Sequence, residues 1–422
     1  MRRRFIVFTV LLGIVALSYR IGFSFGKEKE DLYKELEIFS EGLAVIEKKY
    51  VEDKKPQDLI YGAMGGLLAS LDSYSQFLTP DDYKNLLVET EGKFGGVGIE
   101  ITIKDGILTI VSPIEDTPAW KAGLKPGDII LKIDGEITKD ITLNDAVKKM
   151  RGKPGTELTL TVLRDKDRKI EDIKIVRDII SIKDIKRAVI LEDKIGYARI
   201  SEFRDSTAKD FEKALDNLDK EGLKALILDV RNNPGGLLDS AIDVASIFLT
   251  DGKVVVSTKS RSEAENVYKA VRYNKKYLDI PIVVLINKGS ASGSEIVAAA
   301  LRENNRAILL GETTFGKGSV QTIVPLSDGS ALRLTTSKYY TPGGRSIHEK
   351  GIEPDITISK EIIEEQKKED VFKELEGKQE FDYKKDYQIL RALDLIKGIL
   401  ILKDTKKPDK QIPEHKPSRT KK

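Results

Sequence analysis

Three serines lie within five residues of the segment "NKGSASGSEI", Asn287–Ile296. The apolar run "IPIVVLI" comes directly before this segment, and the alanine-rich run "IVAAALRE" begins at its last residue, Ile296. This order predicts a strand, a sharp turn and a helix, a layout that exposes a nucleophile above a sheet and directs a helix N-terminus at any anion formed there. The alternative is an ordinary helix start, with Ser292 or Ser294 as N-cap and Glu295 in the first turn.

A serine nucleophile needs a base, and the chain has two histidines and no cysteine. His415 lies in a basic tail, and His348 lies in "GRSIHEKGIEPD", which has the pattern of a loop between strands. Lysine is the remaining choice, because Ser-Lys pairs are a variant of the serine triad.

Lys317 is a candidate base because it stands between two glycines in "GETTFGKGSVQ", directly after the apolar run "RAILL". To be neutral it would need a pKa about three units below the usual value of about 10.4, a shift that burial can supply. The same segment could be a phosphate-binding loop or a plain turn, although it lacks the full Walker spacing.

A glycine pair follows another apolar run in "LDVRNNPGGLLDSAIDVA". Gly235 and Gly236 could present bare main-chain N–H groups at the end of a strand. Together with the N–H of Gly293, they would form an oxyanion hole in which each donor is worth about 3 kcal/mol. The alternative is a simple Pro-Gly turn.

Composition indicates a soluble globular protein of two or three domains, with 422 residues, 40% of them apolar and 33% charged. The 71 basic and 68 acidic residues nearly balance, which argues against a nucleic-acid-binding protein. The lack of cysteine excludes disulfides, Cys-rich zinc sites and thiol catalysis. We expect no metal and no cofactor.

The N-terminus predicts export. The basic start "MRRR" is followed by an apolar run from Phe5 to Tyr19. This pattern matches an export signal better than a full membrane span, which needs about 20 residues. The run could also remain as an anchor in the cytoplasmic membrane, with the rest of the chain outside the cytoplasm or in the periplasm. The alternative is a buried N-terminal helix.

The periodicity of apolar residues changes along the chain, from helical, to short alternating strands, to alternating strands and helices. The predicted regions are a signal peptide or membrane anchor (1–26), an N-terminal helical region (27–91), a β-rich module (92–178), an α/β core (179–358), a C-terminal helical region (359–402) and a disordered basic tail (403–422).

Five separated stretches resemble the carboxyl-terminal (tail-specific) processing peptidases: "FGGVGIEI", "AGLKPGDIILKIDG", "DVRNNPGG", "NKGSASGSEI" with "GETTFGKGSVQ", and "YYTPGGRSIHEKGIEPD". These are serine endopeptidases with a Ser-Lys dyad and an inserted PDZ domain, and the resemblance covers about residues 30 to 360. It implies an α/β core like those of ClpP and crotonase, with helical N- and C-terminal segments and dimerisation through them.

The resemblance assigns Ser292 as nucleophile, Lys317 as general base and Gln321 as the residue that orients the lysine amine. The oxyanion donors would be the N–H of Gly293 and of one glycine in the "PGG" turn, and the sequence does not say whether this is Gly235 or Gly236. At Gly293 this chain departs from the family, in which alanine is common.

The β-rich module resembles the PDZ domain. Its carboxylate-binding loop corresponds to Phe94, Gly95, Gly96, Val97 and Gly98. A peptide C-terminus would add as a strand beside "VGIEITI", against the helix "LNDAVKKM", with Ile99 and Ile101 lining an apolar pocket. The alternative is a loop that merely opens a strand.

The sequence thus predicts an exported serine endopeptidase that selects protein or peptide substrates by apolar C-termini. An inactive PDZ peptide-binding scaffold is the alternative, and intact Ser292, Lys317 and Gln321 argue against it. A crotonase-like acyl-transfer enzyme is a third possibility, which the PDZ module disfavours.

Overall fold

The structure is a computed structural model that describes residues 33–104, 106–114, 116–164, 169–261, 264–271, 277–358 and 381–405. It divides into two compact units, Met1–Thr79 with Ile323–Leu334, and Pro80–Thr322 with Thr335–Lys422. The run from Phe5 to Tyr19, the segment 359–380 and His415 lie outside the described residues. Among the helices that the structure does describe, none combines the length and the apolar character needed to cross a bilayer.

The first unit contains a helix over 33–49 (α1), the helix Pro56–Ala69 (α2) and the strand Gln76–Leu78 (β1). β1 pairs antiparallel with residues 331–333. Its Phe77 is buried and lies 4.9 Å from the ring of Tyr61, whose hydroxyl donates to Asp328 at 2.8 Å. In contrast, α1 leaves most of its apolar side chains exposed.

The second unit begins with the helix Pro80–Glu91 (α3) and continues into the predicted β-rich module. The elements of that module are β2 (Lys93–Gly96), β3 (Ile99–Lys104), β4 (Ile107–Pro113), α4 (Pro118–Lys121), β5 (Ile129–Ile133), β6 (Glu136–Ile137), α5 (Leu143–Met150), β7 (Glu157–Leu163), β8 (Ile170–Val176) and β9 (Asp178–Ser181). The sheet order is β3-β4-β5-β7-β8, with β6 beside β5. Its inward residues form a separate apolar core that includes Ile110, Ile130 and Leu160.

The module is joined to the rest of the unit by a two-stranded ribbon. β2 and β9 pair antiparallel, with Lys93 opposite Ser181 and Gly96 opposite Asp178. The module is therefore an insertion whose first and last strands hold each other.

Strands and helices then alternate, as the apolar runs predict. The elements are β10 (Ile185–Ile190), β11 (Ile195–Ile200), α6 (Thr207–Lys220), β12 (Ala225–Asp229), α7 (Leu238–Ser246), β13 (Val254–Ser260), β14 (Asn266–Lys269), β15 (Ile282–Ile286), α8 (Gly293–Glu303), β16 (Ile308–Gly311), β17 (Ser319–Pro325), β18 (Ala331–Tyr340), β19 (Ile356–Thr357) and α9 (Tyr387–Thr405), with short 3-10 helices at Glu192–Lys194 and Tyr383–Lys385.

The main sheet has the order β10-β11-β12-β15-β16-β19, and β11 to β19 in that order run parallel. Every residue of β12 and β15 is buried because helices cover both faces, which is why these strands have continuous apolar sequences. Apolar residues of α6, α7 and α8 pack on one face, and those of α9 pack on the other. The predicted α/β core with an inserted β-rich domain is confirmed.

Candidate active site

The segment between β15 and α8 forms a sharp elbow at Ser292. This residue has φ 50° and ψ −111°, a conformation that serine rarely adopts, and it directly precedes the first residue of α8. Strain of this kind is typical of a nucleophile held at a strand-to-helix turn. Ser292 is 7% exposed, so the residue is nearly buried but keeps a small area that solvent can reach.

The three serines of the elbow have different partners. Ser290 Oγ donates to the carbonyl of Val230 at 2.8 Å, and Ser294 Oγ donates to the carbonyl of Asn233 at 2.9 Å. Both outer serines thus fasten the elbow to the chain that leaves β12. The hydroxyl of Ser292 has no such carbonyl acceptor among the described residues, and its side chain forms a capping box with Glu295 at the start of α8.

Glu295 connects the elbow to the lysine turn. Its carboxylate is fully buried and accepts hydrogen bonds from the main-chain N–H groups of Ser292 (2.8 Å), Gly316 (2.7 Å) and Lys317 (2.9 Å) and from the hydroxyl of Thr314 (2.5 Å). Burial raises the pKa of Glu295, and these four hydrogen bonds act against that rise. One carboxylate therefore sets the relative position of two segments that are separate in sequence.

The glycines on either side of Lys317 allow another loop to pack closely. A Cβ on Gly318 would come within 2.2 Å of the main-chain nitrogen of His348, and one on Gly316 within 3.1 Å of the carbonyl carbon of Glu349. Glu349 N–H donates to the Gly316 carbonyl at 2.9 Å. The main chain around half-buried Lys317 is therefore fixed on both sides.

His348 lies beside this turn through its main chain. Its Nδ1 is buried and has no hydrogen-bond partner in the part of the chain that the structure describes. Gln321 lies on β17, and its amide nitrogen donates to Ser319 Oγ at 2.8 Å. Its orienting action on the lysine amine stays a prediction.

The "PGG" turn lies directly against the elbow. A Cβ on Gly235 would come within 2.7 Å of Ser292 Cβ and 2.8 Å of the Gly293 nitrogen, and the φ of Gly235 is 102°. Glycine is thus required here for both space and backbone conformation.

The two glycines of this turn differ in their N–H groups. Gly235 N–H donates to the side-chain oxygen of Asn233 at 2.9 Å. Gly236 N–H has no acceptor among the described residues. Gly293 N–H is the first of α8 and has no intrahelical acceptor. The sequence left open whether Gly235 or Gly236 supplies the second N–H of the oxyanion hole. The free N–H among the described residues favours Gly236.

The predicted carboxylate-binding loop is shorter than expected. Phe94, Gly95 and Gly96 belong to β2 and pair with β9, so only Val97 and Gly98 lie between β2 and β3. The structure thus places the first three residues in a strand whose partner lies far along the chain, and peptide binding by the five residues stays a prediction. The carbonyls of Val97 and Gly98 accept hydrogen bonds at 2.8 and 2.9 Å from main-chain N–H groups near α4.

Ile99 and Ile101 lie on β3 and pack, partly buried, against the core of the module. β3 is the end strand of the sheet among the described residues, and α5 lies next to it. An extended peptide can bind as an additional strand at an edge strand of this kind, in the groove between the strand and the helix.

Sequence reasoning missed the bridging role of Glu295 and its partner Thr314, and it also missed Asn233 and Tyr339. The side-chain oxygen of Asn233 accepts the hydrogen bond of the Gly235 N–H. The position of Asn233 in "NNPGG" could have indicated this, because asparagine side chains commonly bond to nearby main-chain groups in turns. Tyr339, in the quoted "YYTPGG" stretch, has its hydroxyl within hydrogen-bonding reach of the side chain of Ser292. No local pattern indicates that contact.

Comparison with known proteins agrees with this geometry. The family model described as peptidase family S41 matches residues 194–358, and a PDZ-domain model matches residues 109–164. A carboxy-terminal-processing protease of Bartonella bacilliformis is 43% identical over 397 residues, which cover 88% of this chain and 90% of that protein. The carboxy-terminal processing protease CtpA of Bacillus subtilis is 39% identical over 312 residues, 74% of this chain and 66% of that protein.

A solved structure from Bacteroides fragilis, assigned to the S41 proteases, has the same fold, with a TM-score of 0.50 at 17% identity over 85% of this chain and 97% of that one. From the match to the Bartonella protein over nearly its whole length, together with the family models, the chain belongs to peptidase family S41, the carboxy-terminal-processing serine proteases, and carries a PDZ domain.

Proposed function

We propose that the chain is a serine endopeptidase in which Ser292 is the nucleophile and Lys317 the general base. The observation that carries this proposal is the Glu295 carboxylate, whose Oε2 accepts the main-chain N–H of both residues. A strained serine and a glycine-flanked lysine are thereby held to one buried group.

The reaction follows from these positions. Ser292 Oγ attacks the scissile carbonyl while its proton passes to the neutral amine of Lys317. The N–H groups of Gly293 and Gly236 stabilise the oxyanion. The intermediate collapses, and the leaving amine takes the proton from Lys317. Water, activated by the same lysine, then hydrolyses the acyl ester, and Gln321 keeps the lysine amine oriented.

Substrate selection is assigned to the PDZ domain. The main-chain N–H groups that follow β2, at Val97 and Gly98, would bind the carboxylate of a peptide C-terminus. The peptide would pair with the free edge of β3, and its last side chain would meet Ile99 and Ile101. This arrangement favours protein or peptide substrates with apolar C-termini.

Export and assembly complete the proposal. The basic start and the apolar run of residues 5–19 would carry the chain out of the cytoplasm and could tether it to the membrane. A reporter fused after residue 60 should then be active outside the cytoplasm, and reporter activity only inside the cytoplasm would refute export.

The exposed apolar side chains of α1, such as Leu36, Phe39 and Ile46, would be covered by a second copy in a homodimer.

The decisive experiment compares cleavage of an unfolded protein by the chain lacking residues 1–26 and by its Ser292→Ala variant. Ser292→Ala should abolish cleavage with folding intact. Ser290→Ala and Ser294→Ala should retain part of the activity, because those hydroxyls bond to carbonyls. An active-serine probe should label Ser292, and label on Ser290 or Ser294 would overturn the assignment.

A further inference from the structure

Tyr339 is a buried tyrosine that β18 places beside both halves of the site. It is 5% exposed, and it lies opposite Thr258 of β13. Its main-chain N–H donates to the carbonyl of Gly318 at 2.8 Å, directly after Lys317. The backbone of Tyr339 is therefore held against the lysine turn.

The side chain of the same residue reaches the nucleophile. The phenol of Tyr339 lies within hydrogen-bonding reach of the side chain of Ser292. Its ring belongs to the apolar core formed with α7 and α8, which limits its movement. A hydroxyl on a strand that packs against the lysine turn thus touches the atom proposed to attack the substrate.

The protonation state decides what this phenol can do. Burial, with a smaller effect from the neighbouring Tyr268, raises the pKa of Tyr339 to about 12, although the bond to Ser292 lowers it. At neutral pH the phenol therefore keeps its proton and is unsuited to act as the base. In the proposed mechanism the Ser292 proton passes to Lys317, which leaves the phenol O–H as the donor in this pair.

We propose that Tyr339 is a further catalytic residue that donates its O–H to Ser292 Oγ. This bond fixes the rotamer of the serine hydroxyl, so that its proton faces the base and its lone pairs face the phenol. As the proton leaves, the same bond stabilises the negative charge that develops on Oγ. Tyr339 keeps its own proton throughout. The inference rests on the proposed function, because it requires Ser292 to be the nucleophile.

Tyr339→Phe tests the inference, because it removes only the hydroxyl. We expect kcat to fall about 10- to 100-fold, the loss expected for one hydrogen bond to a charged group, with KM within about twofold of wild type. Labelling of Ser292 by an active-serine probe should slow by the same factor. The matched control is Tyr340→Phe, since Tyr340 is next in the strand and is half-buried with Lys259 4.8 Å from its ring centre. It should keep full activity.

A second variant separates the hydroxyl from ring packing. With 3-fluorotyrosine at position 339 the donor remains, and labelling should stay within about threefold of wild type even if Tyr339→Phe folds poorly. Three results would each overturn the inference. The first is an equal loss of labelling rate in both variants. The others, in Tyr339→Phe, are unchanged kcat and labelling, or an effect on KM alone. Cleavage by Ser292→Ala would instead overturn the proposed function itself.

Discussion

The main-chain N–H of Lys317 donates to Oε2 of Glu295 at 2.9 Å, although the two residues are 22 positions apart. The same oxygen accepts the N–H of Ser292 at 2.8 Å. The distance between the elbow and the lysine turn is thus set by a hydrogen-bonded bridge of three groups. A change in the carboxylate should therefore affect catalysis without touching either reacting side chain.

Glu295→Gln should lower activity at least tenfold and the free energy of unfolding by about 1–3 kcal/mol, because an NH2 group would face main-chain donors in place of an oxygen. Peptide cleavage and denaturant unfolding measure the two effects. Glu312→Gln is the control, since Glu312 is half-buried in the same turn. Wild-type activity in Glu295→Gln would contradict the bridge.

Lys317→Arg should be as inactive as Lys317→Ala, because arginine stays protonated and is unable to accept the serine proton. In the wild-type chain, kcat/KM should rise with pH through a single basic group of the free enzyme. The control is His348→Ala, which should keep most activity because His348 contacts the lysine turn through its main chain. If His348→Ala were as inactive as Ser292→Ala, the dyad would be excluded.

A free C-terminal carboxylate should be required for efficient cleavage of a protein substrate. Amidation should weaken binding to the full chain carrying Ser292→Ala about tenfold or more, because the charge-assisted bonds from main-chain N–H groups to the carboxylate are lost. A terminal Asp or Lys should also weaken binding, because its charged side chain would meet the apolar side chains of Ile99 and Ile101. Titration with free-acid and amidated forms of one peptide measures this. Equal affinities would show that the segment at Val97 and Gly98 does not recognise the C-terminus.

Asp386 should make stability depend on pH at the acid end. Burial raises the pKa of Asp386, but its bonds to Arg231 and to the first N–H groups of α9 outweigh burial and hold it below the usual value. Its contribution is therefore complete above the unfolded pKa of about 3.9 and is lost as pH falls through the lower folded value.

In consequence, Asp386→Asn should lower the free energy of unfolding by about 1–3 kcal/mol at pH 7, and the difference from wild type should shrink below about pH 4. Denaturant unfolding across that range measures both. Asp394→Asn is the control, because Asp394 forms an exposed pair with Arg391 on the same helix and should change little. A constant difference at all pH values would contradict the assignment.

The elbow and the lysine turn could be predicted from sequence because each is a local pattern of small residues after an apolar strand. The contacts that organise them could not. The bond from Gly235 to Asn233 depends on the direction of one side chain. The approach of the Tyr339 hydroxyl to Ser292 depends on how β18 packs against the core. The strand at Phe94 exists only because its partner, Ile180, returns from the far end of the inserted module.

The ribbon of β2 and β9 also brings the two ends of the PDZ domain together, so that the domain can be exchanged as a unit. Because Lys93 and Ser181 are cross-strand partners, the chain leaves and re-enters the protease core at one point. A different domain whose ends lie one strand spacing apart, about 5 Å, can be joined to these two strands at the same point. Under the proposed function, replacing residues 97–177 would therefore change which substrates the enzyme selects and leave the sequence of the protease core unchanged.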